Sequence, residues 1–371
     1  MTIDFRGHTL LAPLTKGGNL PFRRLCVEFG ARITMSEMAY ARQVVRRSKS
    51  ELALLRRHPS EACFGVQLAA RDPEESVQAA REAVARGAAF VDVNCGCPIH
   101  DTTRRGMGAT LLTKPNQLAR LVAHMVKELP VPVTVKIRTG WSEDEVNAAQ
   151  VARLVEESGA AALTVHGRTR EQRYTKAADW QLIGAIARER TIPVIGNGDI
   201  LTHYEGRRRM AESGVAALMV GRGALIKPWI FQEIATNQDL APGAVERVAI
   251  YLRFTRFLKE HFREDAKGKE RTMRFLPWHL GFFCRYRPLP ESEYAALSMQ
   301  HPLLQTRLPE AEDLSLLERV LRDPREAMHL RLAEELWQAV DEADAVARFE
   351  RVGEELPPQL GDAGDIAVST G

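Results

Sequence analysis

The run Val133-Thr-Val-Lys-Ile-Arg138, then the stretch Glu143–Ser158, then Ala162-Leu-Thr-Val-His166 set the rhythm of the chain. Each flanking run is short, rich in β-branched residues and alternating in polarity. The stretch between repeats apolar residues at three- and four-residue spacing, the pattern of a helix. Outward in both directions the same unit recurs. Further β-type runs are expected at His8–Pro13, Ile33–Glu37, Cys63–Leu68, Phe90–Asn94, Val194–Gly196 and Ala217–Gly221, eight in all. Helix-like stretches separate them at Pro21–Phe29, Asp72–Arg86, Asn116–Glu128, Asp179–Glu189 and Tyr204–Ser213. Pro21 opens the first helix and Gly30 follows its end, while Gly87, Gly159 and Gly214 close others. Strands alternating with helices imply a parallel sheet, and eight units are the count of a closed (β/α)8 TIM barrel in the α/β class. An open doubly wound sheet competes, but no Gly-x-Gly-x-x-Gly follows the first strand.

Beyond about residue 240 the alternation stops. Val248, Tyr251, Leu252, Phe254 and Leu258 keep helical spacing, so residues 241–355 are expected to form a C-terminal helical domain after a 1–240 barrel. Residues 356–371, small and polar, are expected to be a disordered tail. The 371 residues are 45% apolar, as in a globular protein, and 51 basic against 48 acidic residues leave +3. Any nucleic-acid surface must therefore be local. Five scattered cysteines argue against a disulfide framework, and Cys95-x-Cys97 is too tight for a zinc knuckle, so no metal is expected. The N-terminus lacks the apolar core of a signal peptide and no run approaches membrane-spanning length; a cytoplasmic protein with no membrane and no obligate protein partner is expected.

Residues two apart on a strand share a face. Val91 and Val93 thus oppose Asp92 and Asn94; Val133, Val135 and Ile137 oppose Thr134, Lys136 and Arg138; Leu163 and Val165 oppose Thr164 and His166; Phe64 and Val66 oppose Cys63 and Gln67. With the apolar set facing the helices, Gln67, Asn94, Lys136, Arg138 and His166 converge at the C-terminal mouth, where barrel enzymes hold their active sites. One polar strand end is usually a satisfied core group, but five at matched depth and parity point to a site.

Two loops complete it. Cys95-Gly96-Cys97-Pro98 ends the fourth strand abruptly, with Gly96 expected to supply unusual backbone angles and Pro98 unable to donate a ladder bond. It presents Cys97, followed by Arg104, Arg105, Gly106 and Gly108. A lone cysteine is more often an inert buried residue; the ring of polar strand ends favours a working one. Gly196-Asn-Gly-Asp199 and Gly221-Arg-Gly-Ala224 follow the seventh and eighth strands. Glycine loops opening onto helices bind phosphate, and barrels commonly hold phosphate there. Arg222 adds a permanent cation.

These residues carry a resemblance. Leu11-Ala-Pro-Leu-Thr-Lys-Gly-Gly-Asn-Leu-Pro-Phe-Arg-Arg24, Phe64-Gly-Val-Gln67, Asn94-Cys-Gly-Cys-Pro98, Val135-Lys-Ile-Arg-Thr-Gly140, Val165-His-Gly-Arg-Thr-Arg170, Gly196-Asn-Gly-Asp-Ile200 and Val220-Gly-Arg-Gly-Ala-Leu225 resemble the flavin-dependent tRNA-dihydrouridine synthases. In the helical domain, Arg271-Thr-Met-Arg-Phe-Leu276 and Phe283-Cys-Arg-Tyr286 resemble the same family. Glu171–Trp180 and Gly223–Trp229 look most like the eukaryotic branch that modifies the tRNA variable loop. The zinc-finger region of that branch has no counterpart here, and Cys95 stands where the family usually has an aliphatic residue.

The resemblance implies FMN in the mouth, reduced by NADPH, and a uridine of tRNA as substrate. By position, Pro13, Leu14 and Thr15 would line the flavin, Gln67 and Lys136 would bond its ring edge with His166 close by, and Asn197, Gly198, Asp199, Gly221 and Arg222 would hold its phosphate. Hydride reaching C6 of uridine pushes charge towards C5 and O4, so a proton must arrive at C5. Cys97 is the expected acid, since an ordinary thiol, with a pKa near ~8.5, is largely protonated at neutral pH. Lys136 and Arg138 are expected to stabilise developing charge, with Asn94 and Arg168 also on the substrate side. The base must leave its stack to enter the pocket, with Arg104–Gly108 as a lid. Phosphate contacts are expected from Lys267, Lys269, Arg271, Arg274 and Arg285, interleaved with Phe275, Trp278 and Tyr286. A small-molecule flavin oxidoreductase, of dihydroorotate or dihydropyrimidine dehydrogenase type, shares the phosphate loops but leaves the basic helices unexplained. A non-enzymatic RNA binder leaves Cys97, Lys136 and His166 unexplained.

Overall fold

The computed structural model describes residues 3–309 and 313–355; the expected tail at 356–371 lies outside them. Eight parallel strands close on themselves: β1 (Thr9–Leu11), β2 (Ile33–Met35), β3 (Cys63–Ala69), β4 (Phe90–Cys95), β5 (Val133–Arg138), β6 (Ala162–His166), β7 (Val194–Asn197) and β8 (Ala217–Val220). Closure is made by β8 pairing β1, with Leu10 opposite Met219, and by β2 pairing β3, with Thr34 opposite Phe64. The eight expected strands are all present: Val133–Arg138 and Ala162–His166 have the expected bounds, and no other end is moved by more than two residues. A two-residue strand, Ala39–Tyr40, was not expected; it lies against Leu68 and Ala69 at the end of β3.

The helices begin and end for local reasons. Asn19 accepts from the Phe22 amide and Asp72 from the Glu75 amide, each just before a proline-opened first turn. Gly30 and Gly87, with φ of +93° and +92°, end those helices in the left-handed region. One expected helix was too long: Glu143–Ser158 is helical only over Ala148–Glu157. Before it the chain folds back, with Gly140 bridging Val146, and a Cβ on Gly140 would meet the Glu145 carbonyl oxygen at 2.1 Å.

Inside the barrel the layers follow strand parity. Leu10, Ile33, Phe90, Ala162, Ile195, Ala217 and Met219 form an apolar floor closed by Phe5, whose ring meets Phe90 edge-on at 5.6 Å. Gly65 makes room for Phe90, whose ring atoms would lie 2.2 Å from a Cβ there. Above the floor the lumen turns polar. Val91, Val93, Val135, Ile137, Leu163 and Val165 pack outward on the helices, and so does Cys95.

After the barrel come helices Ala244–Phe262, Ala266–Thr272, Leu276–Phe283, Glu291–Gln300, Leu316–Leu321, Glu326–Gln338 and Glu342–Glu354. They are joined to the first barrel helix: Phe22 meets Phe254 at 5.9 Å, and Asn19 bonds the buried His279 ring at 3.1 Å. Among the described residues no helix is long and apolar enough to cross a membrane.

Candidate active site at the barrel mouth

The lumen holds one continuous polar chain rooted in Asp92. Its two carboxylate oxygens accept from Thr134 Oγ1 at 2.6 Å and Gln67 Nε2 at 2.8 Å. An oxygen that accepts from Nε2 fixes the amide, so Gln67 Oε1 faces Asn94 and accepts from its Nδ2 at 2.7 Å. Asn94 is fixed in turn, and its Oδ1 accepts from the amides of Cys97 (2.9 Å) and Gly96 (3.2 Å). Burial raises the Asp92 carboxyl to about 6. Both ends of the Gln67 amide are therefore engaged within the protein, and one N–H remains for a ligand.

Cys97 sits at the lip of this chain, half-buried. Gly96 has no left-handed backbone angle, contrary to expectation; it brings its carbonyl to Arg138, whose Nε donates to it at 2.8 Å. The left-handed residues of the loop are Gly106, φ +74°, and Gly108, φ +60°, and Gly108 packs under Cys97: a Cβ there would meet the Cys97 carbonyl oxygen at 2.8 Å and Thr102 Cγ2 at 2.9 Å. Arg104 and Arg105 share the single carboxylate of Asp101, which answers one of their two charges locally. Cys95 is fully buried, on the opposite face of β4, and burial raises its thiol.

Opposite Cys97 stands a group of cations. Lys136 Nζ donates to Asn197 Oδ1 at 3.2 Å, and burial followed by the charge of Arg138 lowers it to about 8. His166 is pushed well below the ordinary imidazole range by burial and by Arg138, Lys136, Arg168 and Arg222 around it, so its ring is neutral. Its Nε2 lies 3.3 Å from Arg168 Nη1, which can only donate, and the ring proton is therefore on Nδ1.

The phosphate loops differ from expectation in two respects. Helix His203–Ser213 does not open at the glycines: it starts beyond them and is closed by a capping box between Thr202 and Glu205. The Asp199 carboxylate is fully engaged as well, accepting from Arg168 Nη2 at 2.6 and 2.8 Å, the Ala178 amide at 2.8 Å and Arg222 Nη2 at 3.1 Å. It orients guanidinium groups and does not itself face an anion. At the eighth loop, helix Arg222–Ile226 begins directly after Gly221 with no side-chain cap. Leu14 lies against it, 3.6 Å from where a Gly221 Cβ would be, which brings Pro13, Leu14 and Thr15 beside the loop. Arg222 stacks over Tyr174 at 4.0 Å.

A lumen lined by Lys136, Arg138, Arg168 and Arg222 against the carboxylates of Asp92 and Asp199 is in excess positive charge. Such a mouth suits an anionic ligand with ring and phosphate parts. The family described as dihydrouridine synthase (Dus) matches residues 10–285. The chain belongs to the dihydrouridine synthase family. It is 41% identical over 358 residues to the tRNA-dihydrouridine(47) synthase [NAD(P)(+)] of Cryptococcus neoformans, covering 92% of this chain and 49% of that one. It is 43% identical over 290 residues to the tRNA-dihydrouridine(47) synthase [NAD(P)(+)]-like protein of Homo sapiens, covering 77% and 44%. The chain spans about half the length of these curated relatives. A solved 6-hydroxypseudooxynicotine amine oxidase from Pseudomonas geniculata shares the fold alone, with a TM-score of 0.50 at 12% identity over 67% of this chain and 50% of that one.

Among the expected substrate contacts of this family member, the geometry separates two kinds. Arg168 is fully buried; beside its bonds to Asp199, its Nε donates to the Lys176 carbonyl at 2.6 Å. A guanidinium held in that way supports the loop and does not extend to an external phosphate. Arg138 braces the Gly96 and Thr169 carbonyls. The helical cations lie outside: Lys267 and Arg271 are exposed with no carboxylate partner among the described residues, Lys269 pairs Glu334 at 2.6 Å, and Arg274 pairs Glu270. Arg285 stacks on Phe282 at 4.8 Å and shares with Arg222 and Arg307 a cavity of about 300 Å³ between barrel and helices. Trp278 reaches the mouth, its ring 3.0 Å from where a Gly17 Cβ would stand. Sequence reasoning missed Tyr40, Thr102 and Tyr174, which no spacing rule links to the mouth.

Proposed function

We propose that this chain reduces the C5=C6 bond of a uridine in tRNA to 5,6-dihydrouridine, with FMN as cofactor and NADPH as reductant. The observation that carries the reading is the Cys97 thiol held over a lumen of excess positive charge by the Asp92–Gln67–Asn94 chain. The donor set fits the cofactor: the free Gln67 N–H and Lys136 for the ring edge, neutral His166 beside it, Pro13, Leu14 and Thr15 along its side, and Asn197, Gly198, Gly221 and Arg222 for its phosphate, with Asp199 orienting Arg222. Bound there, the flavin supplies hydride for C6. Cys97 gives the proton to C5, Lys136 and Arg138 offset the charge that develops, and Asn94 holds the loop that presents the thiol.

We assign residues 1–240 to catalysis and 241–355 to RNA contact, through Lys267, Lys269, Arg271, Arg274 and Arg285. Because relatives at 41–43% identity are named for position 47, a variable-loop uridine is the target we favour. The test is an assay on tRNA lacking dihydrouridine with NADPH added. Wild-type protein is expected to be yellow and to form dihydrouridine; Cys97→Ala is expected to stay yellow and lose product by at least ~100-fold, the usual scale of general-acid catalysis. Colourless protein that takes up no FMN, or full turnover by Cys97→Ala, overturns the assignment.

A further inference from the structure

Cys97 has a partner that links it to solvent away from the mouth. Its Sγ lies 3.6 Å from Thr102 Oγ1, and the same hydroxyl lies 2.8 Å from the Tyr40 phenol. Thr102 is fully buried, and its hydroxyl joins only these two groups among the described residues. Tyr40 in turn lines a cavity of about 600 Å³ with Arg42, Arg46, Arg71, Arg105 and Met107, whose lining includes none of Gln67, Asn94, Cys97 and Lys136. Its position is held on two sides: the Tyr40 amide donates to Glu51 at 2.6 Å, and Arg105 covers its ring at 5.4 Å. Gly108 packs on both Cys97 and Thr102, so the loop glycine keeps thiol and hydroxyl in contact.

A thiol that gives up a proton each turnover must regain one before the next. A base filling the mouth would close the direct route from solvent. We propose that Thr102 and Tyr40 re-protonate Cys97 from water in the Tyr40 cavity, a role that rests on the reductase reading above. The step is a transfer of protons alone. The Cys97 thiolate takes the Thr102 hydroxyl proton as Thr102 takes that of Tyr40, and Tyr40 takes one from water. Each reduced base consumes one water proton by this path, and no electron moves along it. In this proposal Thr102 and Tyr40 are positioning residues that act through the thiol.

The test compares wild type with Thr102→Val, Thr102→Ser and Tyr40→Phe in the flavin-loaded protein. The first turnover, which uses a thiol already protonated, is expected to change less than about twofold, while multiple turnover falls about tenfold for Thr102→Val and Tyr40→Phe. Thr102→Ser keeps multiple turnover, and a small proton-donating buffer such as imidazole restores it in Thr102→Val. A second readout needs no RNA: alkylation of Cys97 by iodoacetamide at different pH, corrected with Cys97→Ala, is expected to slow severalfold in Thr102→Val because the thiolate loses a hydrogen-bond donor. Equal loss of first and later turnovers, or multiple turnover unaffected by Thr102→Val, overturns the relay. So does alkylation indifferent to Thr102→Val. Wild-type protein that forms no dihydrouridine overturns the reductase reading instead, which the alkylation readout distinguishes.

Discussion

Gln67 shows how one side chain can hold a site in register. Its Nε2 donates to Asp92 and its Oε1 accepts from Asn94, and Asn94 then orients the Cys97 loop. Gln67→Glu would set a carboxylate against Asp92 at the same distance. Two such groups cannot both ionise, so one carboxyl is raised further while both ionise freely in the unfolded chain. A raised folded value means the fold holds the proton more tightly; stability is kept at low pH and lost as pH rises. The melting temperature of Gln67→Glu is expected to lie close to wild type at pH 5 and to fall progressively below it by pH 8. A deficit equal at both pH values would count against this arrangement. Lys136 gives a second test at the same scale. Its value near 8 means that it is charged below that pH and neutral above it. Retention of an anionic flavin, read from released flavin fluorescence, is expected to weaken as pH rises through about 8, and Lys136→Met is expected to bind more weakly but with a flatter profile.

The loop from Gly96 to Gly108 is the element on which the site depends. It leaves β4, turns under its own carbonyl and is closed by the amide of Ala109 donating to the Cys97 carbonyl at 3.1 Å. Gly108 permits this in two ways, through a left-handed backbone and by the absence of a side chain between Cys97 and Thr102. Gly108→Ala is expected to cost about 1–2 kcal/mol in stability, measurable by denaturant unfolding. The larger effect is expected on function: flavin retained, dihydrouridine formation reduced, since the thiol and not the flavin loops would shift. A variant with unchanged product yield would show that the loop tolerates displacement.

At the scale of the whole molecule, the proposed RNA contact has to be made by a chain of almost balanced charge. Among the described residues Lys267 and Arg271 have no carboxylate partner, while Lys269 and Arg274 sit in exposed ion pairs worth little and readily exchanged for phosphate. Affinity for tRNA should fall linearly in log–log form with salt, and Lys267→Ala or Arg271→Ala should each reduce the slope by about one. Filter binding across a salt series measures this; a slope unchanged in both variants would move the RNA to another face.

The local sequence determined the eight strands, because alternation of polarity along a strand is read within six residues, and parity alone named Gln67, Asn94, Lys136, Arg138 and His166 as facing the lumen. Cys97 was set apart from Cys95 by the family resemblance, and the structure then placed Cys95 within β4 and Cys97 beyond its end. Tertiary structure decided what those side chains do. Arg168, adjacent in sequence to the mouth, is enclosed by Asp199 and the Lys176 carbonyl, partners 31 and 8 residues away. Tyr40 meets Thr102 across 62 residues. No periodicity encodes such contacts, since they exist only once the Ala39–Tyr40 strand after β2 pairs with the end of β3 and β3 lies beside β4, whose following loop carries Thr102.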